Sequence, residues 1–310
     1  MTEEIIQVRN VSKSFKNAHA VNDLSFSVQK GDIYGFLGQN GAGKSTMIRM
    51  LLTLIRPTSG SIRIFGNELA AHRIDILKRV GAIIEKPDVY KYLSAYQNLA
   101  LFAKLSGIKP SRSLLMNELK RVGLTGREHD KVKTFSQGMK QRLGIAIALV
   151  HEPDIIILDE PTNGLDPQGI ADMRHLILHL KQERNKTVLI SSHLLSEIEQ
   201  VATRILIIDK GKKLVEGEAA TLFDPAKTII EIQTANNENT LLKLHESQWE
   251  QYIQPGLENL IKLKMHKKLL PELHQWMVLN GIEIISIIPR NSLEDLFLQV
   301  TSGKNYVETI

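Results

Sequence analysis

The sequence predicts an α/β fold with a β-rich edge and a helical insertion, followed by a small α+β module, and three observations carry that prediction. Strand-like and helix-like runs alternate from residue 5 to 84, short all-apolar runs return between 154 and 211 with helices between them, and the texture changes past "EGEAATLF" at 216–223. The chain has 310 residues, of which 43% are apolar and 24% charged, so it is an ordinary globular protein with room for a sizeable core.

The elements follow in order. "IIQVRNV" (5–11), "DLSFSV" (23–28) and "DIYGFLG" (32–38) read as strands, "KSTMIRMLLTLI" (44–55) as a helix, "SIRIFG" (61–66) as a strand, then a helix to Lys78 and the strand "RVGAII" (79–84). Residues 87–150 are almost purely helical, as in "SAYQNLALFAKLSG", "SLLMNELKRVGL" and "QGMKQRLGIAIALV", and read as a helical insertion. Strands resume at "DIIILDE" (154–160), "TVLISS" (187–192) and "RILIIDKG" (204–211), with helices expected at 167–184 and 194–202, so one domain is expected over 1–222. Asp224-Pro225 marks a break. The remainder, 223–310, reads as three strands, "TIIEIQ", "NLIKLKM" and "IEIISII", interleaved with helices, and ends on "SLEDLFLQV" as an accessory module.

Composition excludes several classes. There is no cysteine, hence neither disulfides nor thiolate metal sites. No run approaches the ~18 apolar residues of a membrane span and no signal-like core opens the chain, so a soluble cytoplasmic protein is expected. The net charge is +5, but 39 basic residues are scattered among 34 acidic ones, and the densest basic run, "KLKMHKKLL" (262–270), lacks interleaved aromatics. It reads as a solvated face, and no nucleic-acid partner is expected.

The strongest chemical signal is "GQNGAGKST", Gly38 to Thr46, which fits G-x-x-x-x-G-K-[ST] between a strand and a helix. Its glycines, Gly38, Gly41 and Gly43, with Gln39, Asn40 and Ala42 between them, let backbone N–H groups approach phosphate oxygens at a helix N-terminus. Lys44 is expected to reach the β- and γ-phosphates, Ser45 to ligate Mg²⁺, and Thr46 to contact the inner phosphates. The all-apolar "IIILDE" (155–160) reads as a buried parallel strand that delivers Asp159 as a metal ligand and Glu160 as the base for an attacking water. ATP and Mg²⁺ are thus the expected ligands. Ser136 and Gly138, in "TFSQGMKQRL", open an amphipathic helix and by themselves read as no more than an N-cap.

That segment, lying between the phosphate loop and "IIILDE", resembles the signature of ATP-binding-cassette (ABC) ATPases, and the resemblance covers residues 1 to about 222. It implies a P-loop NTPase fold of the cassette type. It implies that Phe15 stacks on adenine, that "NGLD" (163–166) with Asp166 crosses to a partner subunit, and that His193 in "ISSHLLSEIE" contacts the γ-phosphate. Ser136, Gln137 and Gly138 would face the nucleotide of the opposite subunit. The signature departs from the family pattern in carrying Phe135, Gln137 and Met139 in place of Leu, Gly and Gln, while the phosphate-touching Ser136 and Gly138 remain.

A second departure lies in "GAIIEKP" (81–87). Glu85 stands where the family has a glutamine, the lid residue that links metal and attacking water to the region facing the membrane subunits. The resemblance narrows there to cassettes that export bacitracin and lantibiotic-type peptides, in resistance or self-immunity, and it makes Glu85 a candidate metal contact as well. It implies a cassette dimer on a separate multi-span permease at the cytoplasmic face of the membrane, docked through residues 87 to about 107. Export of another drug, lipid or polysaccharide is the alternative. A soluble cassette ATPase acting on DNA or ribosomes would carry a long coiled-coil insertion or two cassettes, which this chain lacks, and Glu160 with His193 argues against a regulator without turnover.

Overall fold

The computed structural model describes residues 3–16, 18–222, 228–255, 260–290, 293, 296 and 297. The chain divides into two compact units, Met1–Gly217 and Glu218–Ile310.

In the first unit β1 (Glu4–Phe15) and β2 (Ala18–Gln29) form an antiparallel hairpin. The chain then enters β3 (Ile33–Leu37), crosses the phosphate-loop residues into α1 (Lys44–Leu51), and returns through β4 (Ser59–Ile64) and β5 (Asn67–Glu68), which extend the hairpin into a four-stranded sheet of order β2-β1-β4-β5. Alternation places Ile6, Val8, Val21, Phe26, Val28, Ile62 and Ile64 in the core, as half-buried antiparallel strands require. α2 (Arg73–Leu77) leads into β6 (Val80–Ile83).

Three helices follow: α3 (Ala95–Leu105), α4 (Arg112–Arg121) and α5 (Gln137–Leu149). Each start is marked in the sequence. Ser94 and Gln97 make a reciprocal capping box on α3, Ser111 caps α4, and Ser136 caps α5 by accepting from the Met139 N–H at 3.2 Å. The chain then alternates again through β7 (Ile155–Asp159), α6 (Pro167–Arg184), β8 (Thr187–Ser192), α7 (Leu195–Glu199), β9 (Arg204–Asp209) and β10 (Lys212–Glu218). α7 is shorter than the helix expected over 194–202.

The second sheet has six strands in the order β10-β9-β3-β8-β7-β6, and β9, β3, β8, β7 and β6 run parallel. Every residue of β3 and of β7 is buried, which explains their lack of polar alternation. An α/β unit with a β-rich antiparallel edge and a run of helices, as the sequence predicts, is therefore what the chain folds into.

The second unit contains α8 (Ala219–Leu222), β11 (Thr228–Thr234), α9 (Asn237–His245), β12 (Ile253–Gln254), β13 (Ile261–Met265), α10 (Leu270–Leu279) and β14 (Ile284–Arg290). Its antiparallel sheet has the order β12-β13-β11-β14, so the three expected strands gain a two-residue fourth. One face buries Ile230, Ile232, Leu263 and Met265 with Trp249, Leu273 and Met277. On β11 between those apolar positions, Glu231 takes bonds from Lys262 (3.0 Å) and Arg290 (2.9 Å). Burial works to raise its pKa, but the two cationic partners outweigh burial and hold it below the usual carboxylate range. Asp224-Pro225 and most of "SLEDLFLQV" lie outside the described residues.

Gly81 on β6 shows how tightly α5 lies on the parallel sheet, because a Cβ there would stand 2.1 Å from the carbonyl oxygen of Ala148. Gly81→Ala therefore forces backbone apart and should destabilise the first unit by about 1–3 kcal/mol, as overpacking does. A urea transition followed by tryptophan-independent far-UV dichroism would show a lowered midpoint, and an unchanged midpoint would refute the close packing.

Candidate functional site

Register brings the candidate residues to one edge of the parallel sheet. Leu37 at the end of β3 pairs with Ser192 at the end of β8, and Asp159 at the end of β7 pairs with Ser191. Gly38, Glu160 and His193 each follow one of these strand ends. They emerge side by side at the carboxyl edge, where open α/β sheets bind ligands. A cleft of about 360 Å³ opens there, lined by Gln39, Asn40, Gly41, Gly43, Lys44, Ser45 and Thr46 together with Ala20, Glu160, Asn163 and His193.

The loop backbone explains its glycines. Gly43, at the N-cap of α1, has φ 107°, and a Cβ there would meet the Ala20 carbonyl oxygen at 2.4 Å. Gly38 is open only on paper, since a Cβ would lie 2.5 Å from the Ile208 carbonyl oxygen. The loop is thus pressed between β2 and β9 and aims the N-terminus of α1, whose first-turn N–H groups have no helical acceptors, into the cleft. Ala42 is buried at its base, where its carbonyl accepts from the Gly211 N–H at 2.9 Å.

Lys44 is only 6% exposed, and its ammonium donates to the Gly38 carbonyl at 2.7 Å and to the Gln39 carbonyl at 3.3 Å. Its third neighbour is Glu160, whose Oε1 lies 3.3 Å away. The other oxygen of Glu160 is 2.6 Å from His193 Nδ1. An ionised carboxylate only accepts, so Nδ1 carries the hydrogen of that bond. Glu160 sits in the left-handed region at φ 51°, a conformation uncommon for a non-glycine residue and concentrated at functional sites.

Ser191 supports both acids. Its hydroxyl donates to Asp159 Oδ1 at 2.5 Å, and the Glu160 N–H donates to Ser191 Oγ at 3.0 Å. Asp159 is wholly buried, and its second oxygen, Oδ2, has no hydrogen-bond partner. A buried carboxylate oxygen left bare is costly unless a further cationic or donor group meets it. Together with the hydroxyl of Ser45, which lines the cleft, Asp159 makes a donor set of hard oxygens alone, which suits Mg²⁺.

Other expected residues lie outside this cleft lining. Phe15, at the end of β1, is exposed and pairs with Ala18, two residues before cleft-lining Ala20, while the Lys13 ammonium stands 5.0 Å from its ring. Ser136, Gln137 and Gly138 form the start of α5, and Asp166 caps α6 by accepting from the Gly169 N–H at 3.0 Å. Glu85, φ 58°, does not line the cleft either; its Oε1 accepts from Arg49 Nη2 on α1 at 2.7 Å. Asn163, expected in the crossing loop, also lines the cleft, while Ser191, Ala20 and Arg49 escape sequence reasoning. Only Ser191 leaves a trace, as one of the two serines that close the strand "TVLISS".

The family model described as "ABC transporter" matches residues 21–163. Across 301 residues the chain is 43% identical to the bacitracin transport ATP-binding protein BcrA of Bacillus licheniformis, covering 96% of this chain and 98% of that protein. It is 44% identical over 214 residues to the lantibiotic transport ATP-binding protein SrtF of Streptococcus pyogenes, covering 69% of this chain and 91% of that one. Among solved structures, the dimeric post-hydrolysis state of the ATP-binding cassette MJ0796, bound to ADP and Pi, superposes with a TM-score of 0.62 at 25% identity, covering 69% of this chain and 98% of that one.

Ser191 touches no expected ligand, yet it orients both acids. Ser191→Ala should raise the half-saturating divalent-cation concentration with ATP present by about 10-fold or more, as loss of an outer-shell partner usually does. Manganese titration followed by electron paramagnetic resonance reads this directly; unchanged saturation would remove Asp159 from the metal site.

Proposed function

Because the chain belongs to the ABC transporter family of ATP-binding subunits, we propose that it is the ATP-hydrolysing subunit of an exporter of peptide antibiotics of the bacitracin or lantibiotic kind. The observation that carries the ATPase reading is the cluster at the sheet edge: Lys44 and His193 both within 3.3 Å of Glu160, beside a buried Asp159 with one bare oxygen. The cargo reading rests on a bacitracin-transport relative that matches nearly the whole chain, on a lantibiotic-transport relative that matches 69% of it, and on Glu85 at the lid position.

ATP enters with its phosphates over the α1 N-terminus, where Lys44 exchanges Glu160 for phosphate oxygens while keeping the Gly38 carbonyl. Glu160, relieved of that cation, is left to take a proton from water, and His193 holds its other oxygen in place. Ser45 and Asp159 would hold Mg²⁺, which would supply charge neutralisation at the phosphates. Phe15 offers a π face to the adenine. Ser136, Gln137 and Gly138 are turned to the nucleotide of a second cassette, with Asp166 at the same face, so the working unit is a two-site dimer.

Among the described residues no helix is long and apolar enough to cross a membrane. As in the ATP-binding subunits it resembles, we assign transport to a separate permease, to which the chain docks at the cytoplasmic face through the exposed Tyr90, Tyr92 and Leu105 of residues 87–107.

Glu160→Gln keeps the shape of the side chain and removes the base. It should leave ATP binding intact, lower turnover by at least about 10²-fold, and let the closed dimer accumulate with Mg·ATP in gel filtration. Near-normal turnover by a purely monomeric variant contradicts the role of Glu160. Glu85→Gln should retain ATP binding and appreciable basal ATPase but lower the inhibitory concentration of bacitracin or a lantibiotic in cells carrying the permease. If resistance and ATPase both equal wild type at matched protein levels, Glu85 is only a solvated strand end.

A further inference from the structure

The residues assigned above to the partner-facing side sit at the starts of two different helices. Ser136, Gln137 and Gly138 open α5, and Asp166 caps α6. The two starts lie together: a Cβ built on Gly138 would come within 3.8 Å of Leu165 Cδ2. Contact alone does not keep two helices in register under load, and here a charged tie lies further along both. Arg142 Nη2 on α5 donates to Asp172 Oδ2 on α6, and Gln168 Nε2 donates to the remaining Asp172 oxygen at 2.9 Å.

The setting of this pair differs from that of an ordinary surface bridge. Arg142 is 26% and Asp172 32% exposed, so both are substantially withdrawn from water, and both carboxylate oxygens are engaged. Beyond the C-terminal end of α4, Gly123 closes over the guanidinium, since a Cβ there would lie 2.8 Å from Arg142 Nη1. On the other side of α6, Arg174 Nη2 donates to Glu197 Oε2 on α7 at 2.6 Å, just beyond His193. α6 is thus fastened on one side to the helix that carries the signature and on the other to the element that follows the switch histidine.

We propose that Arg142 and Asp172 are positioning residues that lock the signature helix to α6, so that the Ser136–Gly138 segment and Asp166 reach the opposite nucleotide as one rigid surface. The proposal rests on the two-site dimer stated above. Without the pair, each helix start is free to tilt about the Gly138–Leu165 contact, and the surface closes on the partner's nucleotide in two loose pieces. Neither residue lines the nucleotide cleft, so nucleotide binding to a single subunit does not depend on them.

The test uses the full chain in a Glu160→Gln background, which accumulates the closed dimer. Arg142→Ala and Asp172→Ala should each raise the Mg·ATP-dependent dimer dissociation constant about 10-fold or more, the scale of one charge-assisted hydrogen bond. Analytical ultracentrifugation measures this, while calorimetry at subunit concentrations below dimerisation should give ATP affinity within about twofold of the parent, a difference small beside a full decade. The reversed pair, Arg142→Asp with Asp172→Arg, should recover most of the dimerisation lost in the single variants. Single variants that dimerise like the parent, or a reversed pair no better than the singles, overturn the positioning role while leaving the two-site dimer standing. Failure of the Glu160→Gln parent itself to dimerise overturns the two-site reading and this one with it.

Discussion

Three strands that end level with one another are the constraint on which the rest of the molecule depends. β3, β7 and β8 are parallel and in register, with Leu37 beside Ser192 and Asp159 beside Ser191. Parallel pairing fixes the height of each strand end, and close packing of specific side chains on both faces opposes a slip by a residue. The phosphate loop, the two acids and the histidine come from segments far apart in sequence and gain their common location from this ladder alone.

Charge is arranged around that edge with the acid between two bases. Glu160 lies between Lys44 and His193, and Lys44 is in turn held by loop carbonyls, so neither group has an unopposed charge inside the protein. Asp159 is the exception. One of its oxygens rests on Ser191 and the other is bare, which is where the proposed Mg²⁺ would be met. Glu85 is satisfied elsewhere, by Arg49 on the helix that begins at the phosphate loop, which gives the lid position an electrostatic partner on α1 that a neutral glutamine would engage more weakly.

Much of this was legible in the sequence, for identifiable reasons. The phosphate loop is read because glycine, lysine and hydroxyl must occur at fixed spacing, and "IIILDE" because a strand buried on both faces admits no polar alternation until its end. Ser136 reads as an N-cap and caps α5, and the runs "SAYQNLALFAKLSG" and "SLLMNELKRVGL" locate α3 and α4 to within a residue or two of their starts. What stayed hidden depends on contacts between distant segments. Nothing near Ser191 in the chain says that its hydroxyl donates to a carboxylate 32 positions away and accepts from the backbone N–H of the acid 31 positions away. Arg49 reads as one more polar residue on an amphipathic helix until Glu85 is placed beside it. β12 was missed because two residues carry no periodicity at all.

The location of β3 also governs the order in which the protein can come into being. Its backbone pairs on one side with β8 and on the other with β9, and even Gly31, just before it, bonds to Thr187, 156 residues further on. A ribosome that has finished residue 46 has made the whole phosphate-loop motif, yet the strand that presents it has no neighbour on either side until residues 187–209 have left the exit tunnel. Until then β3 has no sheet partner and β7 has only β6 on one side, so both leave apolar edges unpaired, the kind of segment on which nascent chains stick to one another. Cellular ATP, however abundant, finds no formed cradle on the growing chain and so cannot act as a template for it. Chaperone cover during those last strands, rather than ligand, is what the topology calls for.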